Sequence, residues 1–534
     1  MTTVDAVVVG GGPNGLVAAA ALADAGWDVC LVEASDRVGG AVRSEERFPG
    51  YTTDMYSAFY PLAAASSVIR SLELERHGLR WVNAPAVVAH PHSPEADDCA
   101  VLHHRPEDTA AALARFAPRD GDAWMRLWEQ WTRIRGPLLN ALFTPFPPVR
   151  PMMRLLARTG TGDALRLARF LALPAHRMGE ELFDGEPARL LLAGNAMHAD
   201  VPFDAAVSGA FGWLLAMLGQ DVGFPSPEGG AGRLAEALGR RAEAAGAAIV
   251  LGDRVERIVV RGGRAAGVVT AGGRRIRVRR AVVADVGAPV LYRRLLPRES
   301  VPRRLLEDLD FFEYDTPTVK VNWALSGRIP WRARSARAAG TVHVGADERG
   351  LVQWSADLTT KVVPRHPFLL FGQMTTTDPT RSPEGTESAW AYTHLPRDVY
   401  DDESGTELAN RVDEVVERYA PGFTDLVVGR EVQLPGHLTG GNANLVNGAV
   451  NGGTAQLHQM LVFRPVPGLG RPETPVPGVF LGSASAHPGG GVHGAPGWLA
   501  ARAALGQHGP LGAARRQVTS RLLETIYRDR PSAR

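Results

Sequence analysis

A short strand-forming run, Val4 to Val9, leads straight into Gly10-Gly11-Gly12-Pro13-Asn14-Gly15. An Ala/Leu-rich segment, Leu16 to Ala25, follows, and Gly26 marks its stop. A second strand, Asp28 to Val32, ends at Glu33. Strand, G-x-G-x-x-G, helix, strand and acid, in that order, constrain the chain more than any other feature. Gly10 permits the tight turn, Gly12 lets backbone approach a pyrophosphate, and Gly15 lets the helix pack closely on the strand. The helix N-terminus offers unsatisfied N–H groups and a partial positive charge to that pyrophosphate. Glu33, about 20 residues on, accepts hydrogen bonds from a ribose and repels a 2′-phosphate. These residues predict a dinucleotide-binding unit.

Composition excludes several other classes. The chain has 534 residues, 45% apolar and 22% charged, in the range of ordinary globular proteins. Lys+Arg is 58 and Asp+Glu 57, so no basic excess points to nucleic acid. Two cysteines, Cys30 and Cys99, build no disulfide framework, and no CxxC or HExxH offers a metal site. Nearly all basic residues are Arg; Lys320 and Lys361 are the lysines, a usage read as coding bias. The strand-like run begins almost at Met1, which leaves no room for a leader, and the apolar stretch Ala205 to Gly219 falls short of the roughly 20 residues a membrane span needs. The expectation is a cytoplasmic protein, with attachment to a membrane surface left open.

Arg37-Val38-Gly39-Gly40-Ala41-Val42-Arg43-Ser44 follows the acid. Its glycine pair lets backbone N–H groups reach a second stretch of a long cofactor, and Arg37 and Arg43 are suited to neutralise phosphate. Further on, Gly229-Gly230-Ala231-Gly232 precedes a predicted helix, Arg233 to Ala245. Short strands are then expected at Ala248–Leu251, Val255–Val260, Ala265–Val269 and Ile276–Val278, with Ala281–Asp285 as a separate buried strand. Near the C-terminus, Val479 to Ser483 reads as a strand. A glycine-rich loop, His487-Pro488-Gly489-Gly490-Gly491-Val492-His493-Gly494, follows and enters a helix at Trp498. That loop also fits G-x-G-x-x-G but lacks the following strand and acid. It presents helix dipole to something anionic rather than a second dinucleotide site.

With these segments the chain resembles the flavin-dependent amine oxidase and phytoene desaturase superfamily, most of all its bacterial phytoene-desaturase-like oxidoreductases. The resemblance runs through the fingerprint to Ser44, Gly223-Phe224-Pro225 to Gly232, Ala281 to Asp285, and Gly478 to Gly497. It implies an α/β fold: a Rossmann-like FAD-binding domain with a three-stranded meander, plus an inserted substrate domain of mixed sheet and helices. The expected division is 1–90, 223–300 and 471–534 for FAD, against 91–222 and 301–470 for substrate, helical over 110–222. The resemblance implies FAD contacts at Gly10, Gly12, Pro13, Asn14, Gly15, Glu33, Ala34, Arg37, Gly39, Gly40 and Arg43. It extends them to Val255, by backbone at the adenine, and to Gly482, Ser483, Gly490, Gly491 and Val492 along the flavin. Many relatives end the C-terminal strand with Gly-Asp where this chain has Gly482-Ser483, which weakens the contact to the ribityl chain.

The implied activity is FAD-dependent oxidation, by hydride transfer to flavin N5, of an apolar, polyene-like or extended small molecule; desaturation leads, and isomerisation stays open. A cofactor-free escort protein on the same fold and an NAD-linked dehydrogenase are the alternatives. No residue is assigned as catalytic base. Of His198, His343, His394, His437, His458, His487 and His493, the last pair are the flavin-facing candidates.

Two other segments stand out. Trp124, Leu127, Trp128 and Trp131 recur at helical spacing within 122–135 and read as core. Arg150 to Arg177 interleaves six arginines with apolar residues against one acid, Asp163. Solvated arginines over a buried stripe is the favoured reading there, and peripheral membrane contact the second. Oligomeric state is not readable.

Overall fold

The computed structural model describes residues 2–468 and 470–528. Met1, Leu469 and residues 529–534, which the domain division above includes, lie outside the described residues. Two seven-stranded sheets organise the chain. In chain order their strands are β1 (Thr2–Val9), β2 (Val29–Val32), β3 (Ala86–His90), β4 (Ala100–Leu102), β5 (Ala248–Val250), β6 (Val255–Arg261) and β7 (Arg264–Thr270). They continue as β8 (Arg275–Ala284), β9 (Thr318–Leu325), β10 (Ala339–Val344), β11 (Leu369–Gln373), β12 (Glu387–His394), β13 (Val427–Gln433) and β14 (Val479–Leu481). The helices that matter here are α1 (Pro13–Asp24), α2 (Pro118–Leu142), α3 (Val149–Ala172), α4 (Ala175–Leu182), α5 (Glu186–Ala196), α6 (Ser208–Val222), α7 (Gly232–Ala244), α8 (Asp402–Tyr419) and α9 (Ala495–His508).

The first sheet runs β6-β7-β8-β1-β2-β5, with β14 on the far side of β8. β1 pairs in parallel with β2 and β8, as crossover helices require, and β6-β7-β8 form the antiparallel meander. β1 alternates between two cores. Ala6 and Val8 pack with α1, α7 and α9; Val7 and Val9 pack with the meander and the segment 288–309. The strand is buried on both faces, which is why it reads as a nearly unbroken apolar run.

β8 corrects an expectation. The two strands anticipated at 276–278 and 281–285 are one, and the intervening Arg279-Arg280 does not break it. A register shift opposite Val4 and Ala6 absorbs an extra residue, and both guanidiniums reach the Asp5 carboxylate.

The second sheet runs β13-β9-β12-β11-β10-β3-β4. Residues 86–90, counted with the first unit in the sequence division, pair with β10 in this sheet. One face is apolar: Val319, Val321 and Trp323 of β9, Phe371 of β11 and Ala391 of β12 pack beneath α8. The opposite face carries Thr318, Lys320 and Asn322, then Trp390, Tyr392 and His394, and Thr341 and His343, by the period of two.

Helices α2 to α6 form a layer over β3 and β4. Trp124 and Trp131 are fully buried there, as the spacing predicts, and the helix extends well beyond the expected turns. Trp124 Nε1 donates to Gln220 Oε1 at 3.0 Å, so its polar end is satisfied.

Candidate functional site

The fingerprint adopts the conformation that its glycines permit. Gly10 sits at φ +99°, and a Cβ there would lie 2.7 Å from the Asp285 carbonyl oxygen. Gly12 is the N-cap of α1, Pro13 opens the helix, and Gly15 presses on the Gly10 carbonyl. A Cβ on Gly12 would stand 2.8 Å from Asp285 Oδ2, so a side chain there would strike the carboxylate packed against the turn. Glu33 closes the motif. Its carboxylate accepts from the Gly11 amide at 2.5 Å and the Ser35 amide at 2.8 Å, which holds it beside the turn.

The second glycine pair folds back onto the first. The Gly39 amide donates to the Gly11 carbonyl at 2.8 Å, and a Cβ on Gly40 would lie 3.1 Å from Gly12 Cα. Gly39 and Gly40 both have positive φ, which explains the requirement for glycine. The flanking arginines differ from the simple expectation. Arg37 pairs with Asp36 and Glu45, and Arg43 Nε lies 2.9 Å from Glu45 Oε1, so Glu45 already balances part of their charge. Val255 is buried at the start of β6, and Ala34 is exposed just past Glu33.

The C-terminal loop arrives at the same place. Gly497, in the first turn of α9, touches α1 so closely that a Cβ would overlap the Asn14 carbonyl oxygen. The N-termini of α1 and α9 are thereby brought together. Gly482 ends β14 with its amide on the Ala284 carbonyl at 2.9 Å, and the buried Ser483 hydroxyl accepts from the Ser485 amide at 3.2 Å. Val492 holds φ +55°, a left-handed conformation that opposes a β-branched residue and is tolerated where surrounding structure imposes it. Gly490 lies against Asn451, and Gly491 against Leu62.

The two histidines of this loop face backbone. His493 Nε2 donates to the Gly490 carbonyl at 3.1 Å, and its Nδ1 accepts from the Ala495 amide at 3.1 Å. Both ring nitrogens are engaged, and burial pushes the imidazole down to about 4. His487 Nε2 donates to the Thr144 carbonyl at 3.0 Å, and burial likewise lowers it to about 4. Each fastens the loop as a neutral ring. The remaining histidines scatter. His437 caps a short helix through the Leu434 amide, and His458 pairs with Glu313 at an exposed site. His198 and His343 meet, Nε2 to Nε2, at 2.9 Å, and burial keeps both neutral.

Several groups at the site have no role assigned from sequence. Asp285 ends β8 against the fingerprint and accepts from the Gly15 amide at 2.8 Å; burial raises its carboxyl to about 7. Asp54 and Arg381 form a fully buried pair. Asp54 also accepts from the Ala231 amide at 2.8 Å and from Ser44 Oγ at 2.6 Å, and so ties the Gly229–Gly232 turn to the Arg37–Ser44 segment. Lys320 donates to the Asp54 carbonyl, lies 5.6 Å from the Trp390 ring centre, and is lowered to about 8 by burial. A lysine inside an alternating apolar strand was the available signal for it. Arg464 is buried among the carbonyls of Asn451, Gly453, Thr454 and Ala484, and so fixes the chain behind Gly489.

These arrangements fit a dinucleotide. Two glycine turns meet at Gly12 and Gly40, two helix N-termini converge beside them, and an acid is held at the strand end where a ribose belongs. Among the described residues no group of three or more His, Cys, Asp or Glu is placed to hold a metal ion. Fold and site together define a dinucleotide-dependent protein of the flavin type.

The chain belongs to the flavin containing amine oxidoreductase family, which it matches over residues 14–505. It is an FAD-dependent oxidoreductase. It is 27% identical to the rat protein named pyridine nucleotide-disulfide oxidoreductase domain-containing protein 2, over 93% of this chain and 92% of the relative. It is 26% identical to the zeta-carotene-forming phytoene desaturase of Myxococcus xanthus, over 61% of each. Among solved structures it resembles putrescine oxidase bound to putrescine, with TM-score 0.59 and 18% identity, covering 94% of this chain and 98% of that one. That likeness concerns fold.

Proposed function

We propose that this oxidoreductase removes hydride from an apolar, extended small molecule of polyene type, held against the polar-aromatic face of the second sheet. FAD, when bound, supplies the hydride acceptor at N5. The fingerprint Gly10, Gly12, Pro13, Asn14 and Gly15 would take the pyrophosphate, Glu33 and Ala34 the adenosine ribose, and Val255 the adenine by its backbone. Gly39, Gly40 and Arg43 would take the central part of the cofactor, with Arg37 at the rim. Gly482, Ser483 and Gly490 to Val492 would follow it to the flavin, under the converging helix dipoles.

The composition of that face carries the substrate assignment. Trp390 stacks on Tyr392 at 5.8 Å, Phe59 tilts onto Trp390 at 6.0 Å, and His343 and His394 beside them are kept neutral by burial. Along β9 to β12 this face carries one cationic side chain, Lys320, and no carboxylate. A cationic amine would meet the aromatic faces but also the buried Lys320, which repels it, whereas an apolar chain packs on the rings without that repulsion. The residues positioned there orient a substrate and keep water away, which raises the effective concentration of the reacting C–H bond.

The test is a visible spectrum of purified protein before and after anaerobic addition of polyenes and of primary amines. Bleaching of the flavin band by a polyene, with amines inert, is the expected result. Bleaching by amines alone would overturn the substrate class.

A further inference from the structure

His198 and His343 meet on the polar-aromatic face of the second sheet, and their contacts fix which nitrogens carry protons. His343 is fully buried on β10. A Cβ built on Gly194 of α5 would lie 2.2 Å from His343 Nδ1, so a Cα–H bond of that glycine points at the nitrogen. A proton on Nδ1 would collide with that hydrogen, whereas a bare lone pair accepts it. Nδ1 also meets no acceptor among the described residues, and an orphaned buried N–H is the rarer defect. The His343 proton therefore sits on Nε2, which donates to His198 Nε2 at 2.9 Å. His198 Nε2 is the acceptor, so the neutral ring carries its proton on Nδ1. That Nδ1 has no hydrogen-bond partner among the described residues. The ring is partly exposed although it lies against two buried rings, those of His343 and Phe224. Burial lowers its imidazole to about 3, so the opening is onto an interior recess rather than bulk water.

Strand register carries that recess across the face. His343 pairs with Leu370, Leu370 with Tyr392, and Tyr392 with Lys320, one row over β10, β11, β12 and β9. Three strand spacings make the row about 14 Å long. Tyr392 within it is also partly exposed, while Lys320 at the far end is engaged by the Asp54 carbonyl. An extended molecule along the row lies on aromatic and aliphatic side chains and reaches an uncharged donor at the His198 end. We infer that His198 binds the substrate, its Nδ1–H donating to a hydroxyl or carbonyl oxygen on an otherwise apolar, extended molecule. The inference rests on the reading of this face as the substrate face, and adds that the molecule is oxygenated rather than a pure hydrocarbon. The neutral ring suits an uncharged oxygen, because it offers a carboxylate no counter-charge. His343 acts through His198, as the positioning residue that fixes its tautomer.

The test uses the flavin-loaded full chain and two probes of one carbon skeleton, farnesol and farnesene, neither of which absorbs with the flavin. Binding is read from perturbation of the flavin spectrum. The parent is compared with His198→Phe, which keeps a ring without a donor, and with His198→Asn, whose amide can take the Nδ1 position. The farnesol-to-farnesene affinity ratio should fall on the order of tenfold in His198→Phe and be largely restored in His198→Asn. Farnesene affinity and flavin content should stay as in the parent. Nitrogen-15 spectra of histidine-labelled parent, assigned with the same variants, should show His198 protonated at Nδ1. A ratio untouched by His198→Phe, or a proton on His198 Nε2, would overturn the inference and leave the substrate face standing. A parent whose flavin neither probe perturbs would overturn the substrate-face reading and this inference with it.

Discussion

The amide of Gly15 donates to Asp285 Oδ2 at 2.8 Å, joining the end of the fingerprint to the end of β8 across most of the first half of the chain. The carboxyl is buried and raised to about 7, so near neutrality it is held substantially protonated beside a turn built for pyrophosphate. A protonated acid tolerates a phosphate neighbour, whereas an ionised one repels it.

The sign of the pH dependence follows. The folded pKa lies above the ordinary 3.8, so the folded state takes up a proton and its stability falls as pH rises from about 4 through 7. FAD affinity should fall over the upper part of that window. Titration of apoprotein with FAD at about pH 6 and about pH 8.5, either side of that folded value, should show weaker binding at the higher pH, and Asp285→Asn should flatten the difference. Equal affinities at both pH values in the parent would contradict the assignment.

His493 behaves in the opposite sense. Its pKa is depressed to about 4, so the stability it lends persists above the ordinary 6.5 and is lost as pH falls through 4. Flavin release should therefore set in on acidification within that window. The pH profile of activity between about 6 and about 8 should show no limb that His493→Gln removes. His493→Ala leaves the Gly490 carbonyl and Ala495 amide without partners and should lower stability by about 1–3 kcal/mol for each group, read by urea unfolding.

Gly497→Ala should drive a methyl into the Asn14 carbonyl and separate the two helix N-termini. Overpacking of this kind costs typically about 1–3 kcal/mol, and here it falls on the cradle itself. The expected result is a lower melting temperature together with a substoichiometric flavin content. Gly436→Ala, where a Cβ meets open space, is the control and should change neither.

Asp54 and Arg381 should be strongly coupled. Arg381→Met leaves a buried carboxylate uncompensated, which costs about 3–5 kcal/mol. Adding Asp54→Asn should recover part of that loss. A double variant no more stable than Arg381→Met alone, measured by equilibrium unfolding, would show that the pair does not act as a unit.

Local sequence determined the fingerprint, because every requirement in it is short-range. Gly10 and Gly39 need positive φ, and Pro13 suits the first helical turn. The run from Ala6 to Val9 is apolar without alternation because β1 is buried on both faces. The meander is legible for the same local reason, from glycine pairs between short apolar runs. β8 reads as two strands where Arg279-Arg280 interrupts the apolar pattern, since only the partner strand shows that the bulge turns both toward Asp5. The segment 150–177 reads as solvated arginines over a buried stripe, yet Val149, Met152, Met153 and Leu156 of α3 are exposed, because periodicity reveals a face but not whether anything packs on it. Asp54, Lys320, Arg381 and Arg464 belong to no motif, and Asp285 ends a recognised segment without a role being assigned to it. Their chemistry arises from burial and from partners far away along the chain, so only the tertiary structure could decide it.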